Sequence, residues 1–234
     1  LTLTNGTLNI NTSNTLTIQG IFNSTNNGYI GGNSTSNLTI AGSGALGTLN
    51  FAPAANSLNT LTVGRTGTLV LGTDLTVNNV NLSFGNLNFN NHTLTVNGSS
   101  IASAGTGLIS NSSSNLIFGG STFSGTIPFF GTGNQLNNLT FATPGGIFNW
   151  NSNVTVLNRV TLSSGTINHT SGLTMGTNST FSRSGGSILL NDPDVVTSFN
   201  VEYTGSVTTG LELPATPTEI NNLTVNSSGP VTLD

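Results

Sequence analysis

One phrase recurs three times along this chain and limits what it can fold into. Leu3-Thr-Asn-Gly6-Thr-Leu-Asn-Ile10 returns as Leu82-Ser-Phe-Gly85-Asn-Leu-Asn-Phe89 and as Leu162-Ser-Ser-Gly165-Thr-Ile-Asn-His169, with the glycines 79 and 80 residues apart. A second phrase keeps a similar beat: Leu58-Asn-Thr-Leu61-Thr-Val63, Leu136-Asn-Asn-Leu139-Thr-Phe141 and Ile220-Asn-Asn-Leu223-Thr-Val225. Self-similarity at a fixed period predicts a quasi-one-dimensional stack in which each unit packs on its neighbours. Residues 1–234 therefore read as a single solenoid with internal repeats near 1–80, 81–160 and 161–234.

The local pattern has period two. Leu16-Thr-Ile18, Leu38-Thr-Ile40, Leu61-Thr-Val63, Leu75-Thr-Val77, Leu94-Thr-Val96 and Val154-Thr-Val156 alternate apolar residues with Thr. A strand sends successive side chains to opposite faces, so aliphatics point one way and Thr the other. No 3.6-residue apolar period is visible. Clusters such as Gly31-Gly32-Asn33, Gly42-Ser43-Gly44 and Ser184-Gly185-Gly186 supply tight corners between short strands.

Two architectures fit: an antiparallel sandwich or barrel, and a right-handed parallel β-helix. The β-helix is favoured. A period near 80 residues matches three or four coils of roughly 20 to 25 residues. Asn recurs at corners, where stacked amides can bond along the axis. Two-residue Asn-Gly hairpin signals are few, chiefly Asn5-Gly6 and Asn97-Gly98. The expected fold is thus an all-β solenoid of about ten or eleven coils, on the order of 50 Å long at the usual strand spacing.

Composition narrows the function. Asn, Thr and Gly number 36, 39 and 30 of 234 residues, and only 4% of residues are charged. With 34% hydrophobic residues and a formal charge of −4 the chain can still bury a core. There is no Lys, and Arg65, Arg159 and Arg183 are the sole permanent cations. Phosphate neutralisation dominates nucleic-acid binding, so nucleic acid is not an expected partner. No apolar run reaches the roughly 20 residues that a membrane-spanning helix needs, and membrane insertion is not expected. Without Cys there is neither a disulfide framework nor a thiolate metal site. Such a polar, uncharged stack suits an exported protein.

Neither end reads as a capping helix, and an uncapped stack presents open strand edges. The third repeat stops at Val231-Thr-Leu233-Asp234, short of the connecting strand seen in the first two. The expectation is a segment of a longer array, whose partner is itself through end-to-end stacking or further coils.

Candidate chemical groups are sparse. Asp192-Pro-Asp194 is the only close acid pair and reads as a turn rather than an acid/base or Ca²⁺ site. Glu202 and Glu212 flank a strand and a loop and are expected in solvent. His92 and His169 fall at comparable places in successive repeats, several coils apart, and read as surface or corner residues. No Gly-x-Ser-x-Gly elbow with an acid and His is present, so the chain reads as a non-enzyme with no catalytic, cofactor or metal residues. Phe129, Phe130, Phe141, Phe148 and Trp150 concentrate aromatics in the second repeat. They read as core stacking, with Phe129, Phe130 and Trp150 the candidates for an exposed strip gripping glycan or another fibre. Asn-x-Ser/Thr triplets, as at Asn5, Asn37, Asn138 and Asn222, arise from the composition alone.

Gly6-Thr-Leu-Asn-Ile10, Leu213-Pro-Ala-Thr-Pro-Thr-Glu-Ile-Asn-Asn-Leu-Thr-Val225 and Asn226-Ser-Ser-Gly-Pro-Val-Thr-Leu233 resemble large secreted and surface-anchored adhesin-type proteins of Bacteroidota. Flavobacterial relatives exported by type IX secretion are especially similar, and autotransporter passenger domains resemble the chain in composition. The resemblance implies β-helical stalks in cell-surface or extracellular fibres, and no catalytic residue. The expected function is a structural or adhesive module. A carbohydrate-binding β-helix or degenerate polysaccharide lyase is the alternative, with surface glycans as possible partners. An ice-binding solenoid, built on aligned outward Thr, is a minor one.

Overall fold

Alternating Leu and Thr leave each strand with one apolar edge, and parallel stacking is how the chain buries it. The computed structural model describes residues 1–25, 27–168, 172–189, 193–214 and 217–234. Among these, every strand pairing is parallel. A residue lies over one 18 to 24 positions earlier, as Asn86 over Thr68 and Val231 over Val207. The result is the β-solenoid expected from the sequence, of about 11 turns. One short 3₁₀ turn, Pro217–Glu219, is the only helical element among the described residues.

The core is a set of columns along the axis. Leu75, Leu94, Leu116, Leu139, Val160, Phe181 and Val201 stack in register and are all buried. Beside them run Val77, Val96, Phe118, Phe141, Leu162, Arg183 and Tyr203. Each buried aliphatic contributes about 1.5–3 kcal/mol against its exposed state. In the middle coils the columns turn aromatic. Phe118 stacks on Phe141 at 5.8 Å with the rings 2° from parallel, and Phe148 lies 4.5 Å from Phe141. Such pairs add about 0.5–1.5 kcal/mol beyond area burial.

Corners carry the amide chemistry expected of the Asn-rich composition. Asn59 Nδ2 donates to Asn37 Oδ1 at 3.0 Å, and Asn78 Nδ2 donates to Asn59 Oδ1 at 3.3 Å. Further along, Asn138 Nδ2 donates to Asn115 Oδ1 at 2.9 Å and Asn158 Nδ2 to Asn138 Oδ1 at 2.8 Å. Asn59 and Asn138 thus each accept from the coil above while donating below, which suits a group carrying both functions. Two corners share a turn in which a buried Ser closes on Asn three residues back. Ser36 N–H donates to Asn33 O at 2.9 Å, and Ser114 N–H to Asn111 O at 3.0 Å. Gly42 makes the tightest of the left-handed corners possible: its φ is +72°, and a Cβ there would sit 1.9 Å from Gln19 O.

Among the register shifts of the stack, two insert several residues into one coil. Ile30 pairs with Phe51 and Gly32 with Asn56, so residues 52–55 bulge where the coil beneath spends one residue. Between Ala142 and Ile147 the same happens against Ser164 and Thr166. Pro53 and Pro144 sit in these bulges, where a missing N–H breaks no ladder bond.

Candidate functional site

The aromatic candidates separate by strand parity. Phe129 is 3% exposed and Trp150 4%, while Phe130 is 44% exposed. Trp150 follows Phe148 at a spacing of two, so both point inward, and its ring lies 5.8 Å from Phe141. Its indole N–H has no hydrogen-bond partner. An exposed strip made of Phe129, Phe130 and Trp150 therefore does not exist as a surface. Phe130 alone faces outward.

The charged side chains are mostly consumed by the fold. Arg65 is buried without a carboxylate: Nη1 donates to Gly20 O at 2.7 Å and Ser43 O at 3.1 Å, and Nη2 to Ala45 O at 3.0 Å. It stitches two underlying coils through their carbonyls. Arg159 and Glu202 form an ion pair on an outer face, reaching across the intervening coil. Arg183 occupies an inward position in the column after Leu162 and meets Glu212 at 2.5 Å.

Glu212 corrects the sequence reading, which placed it in solvent. It is fully buried, accepting from Arg183 Nη1, from the Tyr203 hydroxyl at 3.0 Å and from Gly210 N–H at 3.1 Å. The cause is Arg183: its guanidinium lies inside the coil, and the loop after Thr208 folds inward to supply a counter-ion. Burial, reinforced by the neighbouring Glu212 carboxylate, pushes the Tyr203 phenol well above its ordinary value despite the opposing Arg183 charge.

The outward columns mix Thr with other residues. One runs Thr76, Thr95, Ile117, Thr140, Thr161, Ser182, Glu202 and Thr224. Ile117 and Glu202 interrupt it, so this face offers no unbroken Thr lattice. Asp194 lies exposed in the strand Asp194–Val195, while His169 and Asp192 fall outside the described residues.

One concavity gathers polar groups on the flank of the rod. The bulge at 52–55 projects over coils that are unusually short, with Thr76 over Ser57 and Leu94 over Leu75, an offset of 19. Overhang beside recess makes a cleft of about 330 Å³ lined by Phe51, Pro53, Asn56, Thr73, Asp74 and His92. Three coils are pinned together there. Phe51 N–H donates to Thr73 Oγ1 at 2.7 Å, Asn56 Nδ2 to Asp74 O at 3.3 Å, and Thr93 N–H to Asp74 Oδ1 at 2.8 Å. His92 Nδ1 lies 3.6 Å from the same carboxylate oxygen. The sequence reading gave His92 a corner and attached no significance to Asp74. The missed signal was Pro53 inside an otherwise strand-like run.

The last strand, Ile220–Val225, has no neighbour on its outer edge among the described residues, and its Leu223 and Val225 are 52% and 59% exposed. Their column mates one coil below, Val201 and Tyr203, are buried. The first coil also shows apolar residues, with Leu1, Leu8 and Ile21 exposed. Comparison of the chain with protein-family models, with curated proteins and with solved structures gives no match.

Proposed function

We propose that this chain is a rigid structural segment of a secreted fibre or cell-surface stalk, of the adhesin-like kind its sequence resembles. The observation that carries the reading is the parallel pairing of every described strand with the coils beside it. Continuous backbone pairing, aliphatic columns and amide ladders run along one axis, so extension must break many bonds at once. The outer surface is hydroxyl and amide with few charges, so salt has little to screen. The role is mechanical and needs no catalytic group or cofactor.

The partner is more of the same. Leu223 and Val225 stand in columns whose inner members are covered, and their own strand, Ile220–Val225, offers a free edge for pairing. A further coil, from a longer array or from a second copy, completes both. A hydroxyl and amide surface with few charges supports a location outside the cell or on its surface. Electron microscopy of the native material tests the reading: continuous filaments or stalks are expected, and isolated rods about 50 Å long, the height of eleven coils, would overturn it.

A further inference from the structure

The flank cleft stands apart from that mechanical role. Asp74 is the only acid in the first 191 residues, and the chain holds just two His. One of these meets Asp74 beside a bulge, where one coil carries an insertion and the next two offsets are short. Stacking alone asks for neither, since Asn115 to Phe118 pair with Asn138 to Phe141 in even register.

Four groups at the cleft keep hydrogen-bonding capacity. Among the described residues Asp74 Oδ2 and Asn56 Oδ1 are acceptors without partners, the Thr73 hydroxyl accepts from Phe51 and retains its proton, and His92 Nε2 is unengaged. The exposed Pro53 and the buried Phe51 line the same cleft and give it an apolar component. A cleft of this size is at the small end of ligand sites, which combine apolar walls with a few convergent polar groups.

We propose that this cleft binds one neutral pyranose ring of a glycan. A sugar ring offers hydroxyl donors to Asp74 and Asn56, a hydroxyl acceptor to Thr73, and a C–H face to Pro53. No Lys or Arg lines the cleft, so the Asp74 charge turns away uronate and sulfated sugars. A metal ion is a poorer fit, because one carboxylate and one imidazole fall short of the three protein ligands that an open zinc site keeps. The assignment rests on the flank geometry and is independent of whether the rod belongs to a fibre.

Saturation-transfer NMR tests it with methyl α-D-glucopyranoside, methyl β-D-galactopyranoside, methyl α-D-mannopyranoside, methyl N-acetyl-β-D-glucosaminide and methyl β-D-glucuronide. At least one neutral glycoside should bind with a Kd on the order of 1 mM, a weak single-ring interaction. Asp74→Ala and Asn56→Ala should each weaken it about tenfold, as losing one hydrogen bond to the ligand does. Glu202→Gln, on another face, should leave it unchanged. The proposal fails if no neutral glycoside binds, if the glucuronide binds as well as the neutral sugars, or if both cleft variants retain full affinity while circular dichroism shows them folded.

Discussion

The same inward column is built in two ways. Through the middle coils it reads Val77, Val96, Phe118, Phe141 and Leu162, and it is apolar throughout. One coil later the position belongs to Arg183, then Tyr203, closed by Glu212 from a loop. The apolar stretch is held by area burial, which is non-directional and forgiving of shape. The charged stretch depends on a few directed bonds, and losing one leaves the others stranded. Arg65 marks a third solution, a buried cation whose Nη1 and Nη2 are held by carbonyls alone, with no partner for Nε among the described residues. A parallel solenoid thus accepts a charge inside only where loop backbone or a carboxylate can reach it.

The largest effect expected is at the charged end. Glu212→Ala should cost about 3–5 kcal/mol, because Arg183 stays buried without its counter-ion. Urea denaturation measures this, and a loss below about 1 kcal/mol would erase the contrast between the two regions. Joint replacement of Arg183 by Met and Glu212 by Leu should recover most of the loss, since an apolar pair of similar volume is often as stable. In the apolar stretch, Val96→Ala should cost about 2 kcal/mol from lost transfer energy and a small cavity. At a corner, Asn138→Ala removes an amide that bonds to coils above and below, and about 1 kcal/mol is expected.

The smallest effect at neutral pH comes from Tyr203. Its folded pKa is raised, so the fold favours the neutral phenol. The unfolded chain releases that proton near pH 10 while the folded chain keeps it. Stability from this group is therefore intact below about pH 10 and falls as pH climbs towards the folded value. Thermal melts from pH 8 upward should show a decline beginning near pH 10 that is shallower in Tyr203→Phe. An identical decline in both proteins would remove Tyr203 from the account.

Much of the fold was legible because it is local. Leu16-Thr-Ile18, Leu38-Thr-Ile40 and Leu61-Thr-Val63 state their inward and outward faces by alternation, and the recurring phrases announce stacking. The corner amides at Asn37, Asn59 and Asn78 follow from composition and turn chemistry. The burial of Glu212 did not follow, because it depends on which loop crosses which coil. Coil lengths vary from 18 to 24 residues, so an 80-residue beat cannot say that Asp74 will face His92. Trp150 was readable in hindsight, since Phe148 and Trp150 share parity and Phe148 sits among packed rings.

The steady coil-on-coil offset has a consequence for how the chain acquires its shape. Sheet proteins are usually slow to mature, because their pairings join residues far apart in the chain. Here each pairing closes a loop of only 18 to 24 residues, a relative contact order of about 0.1, in the range of helical bundles. Such a polypeptide can wind up turn by turn from whichever end emerges first, each finished turn serving as the template for the next.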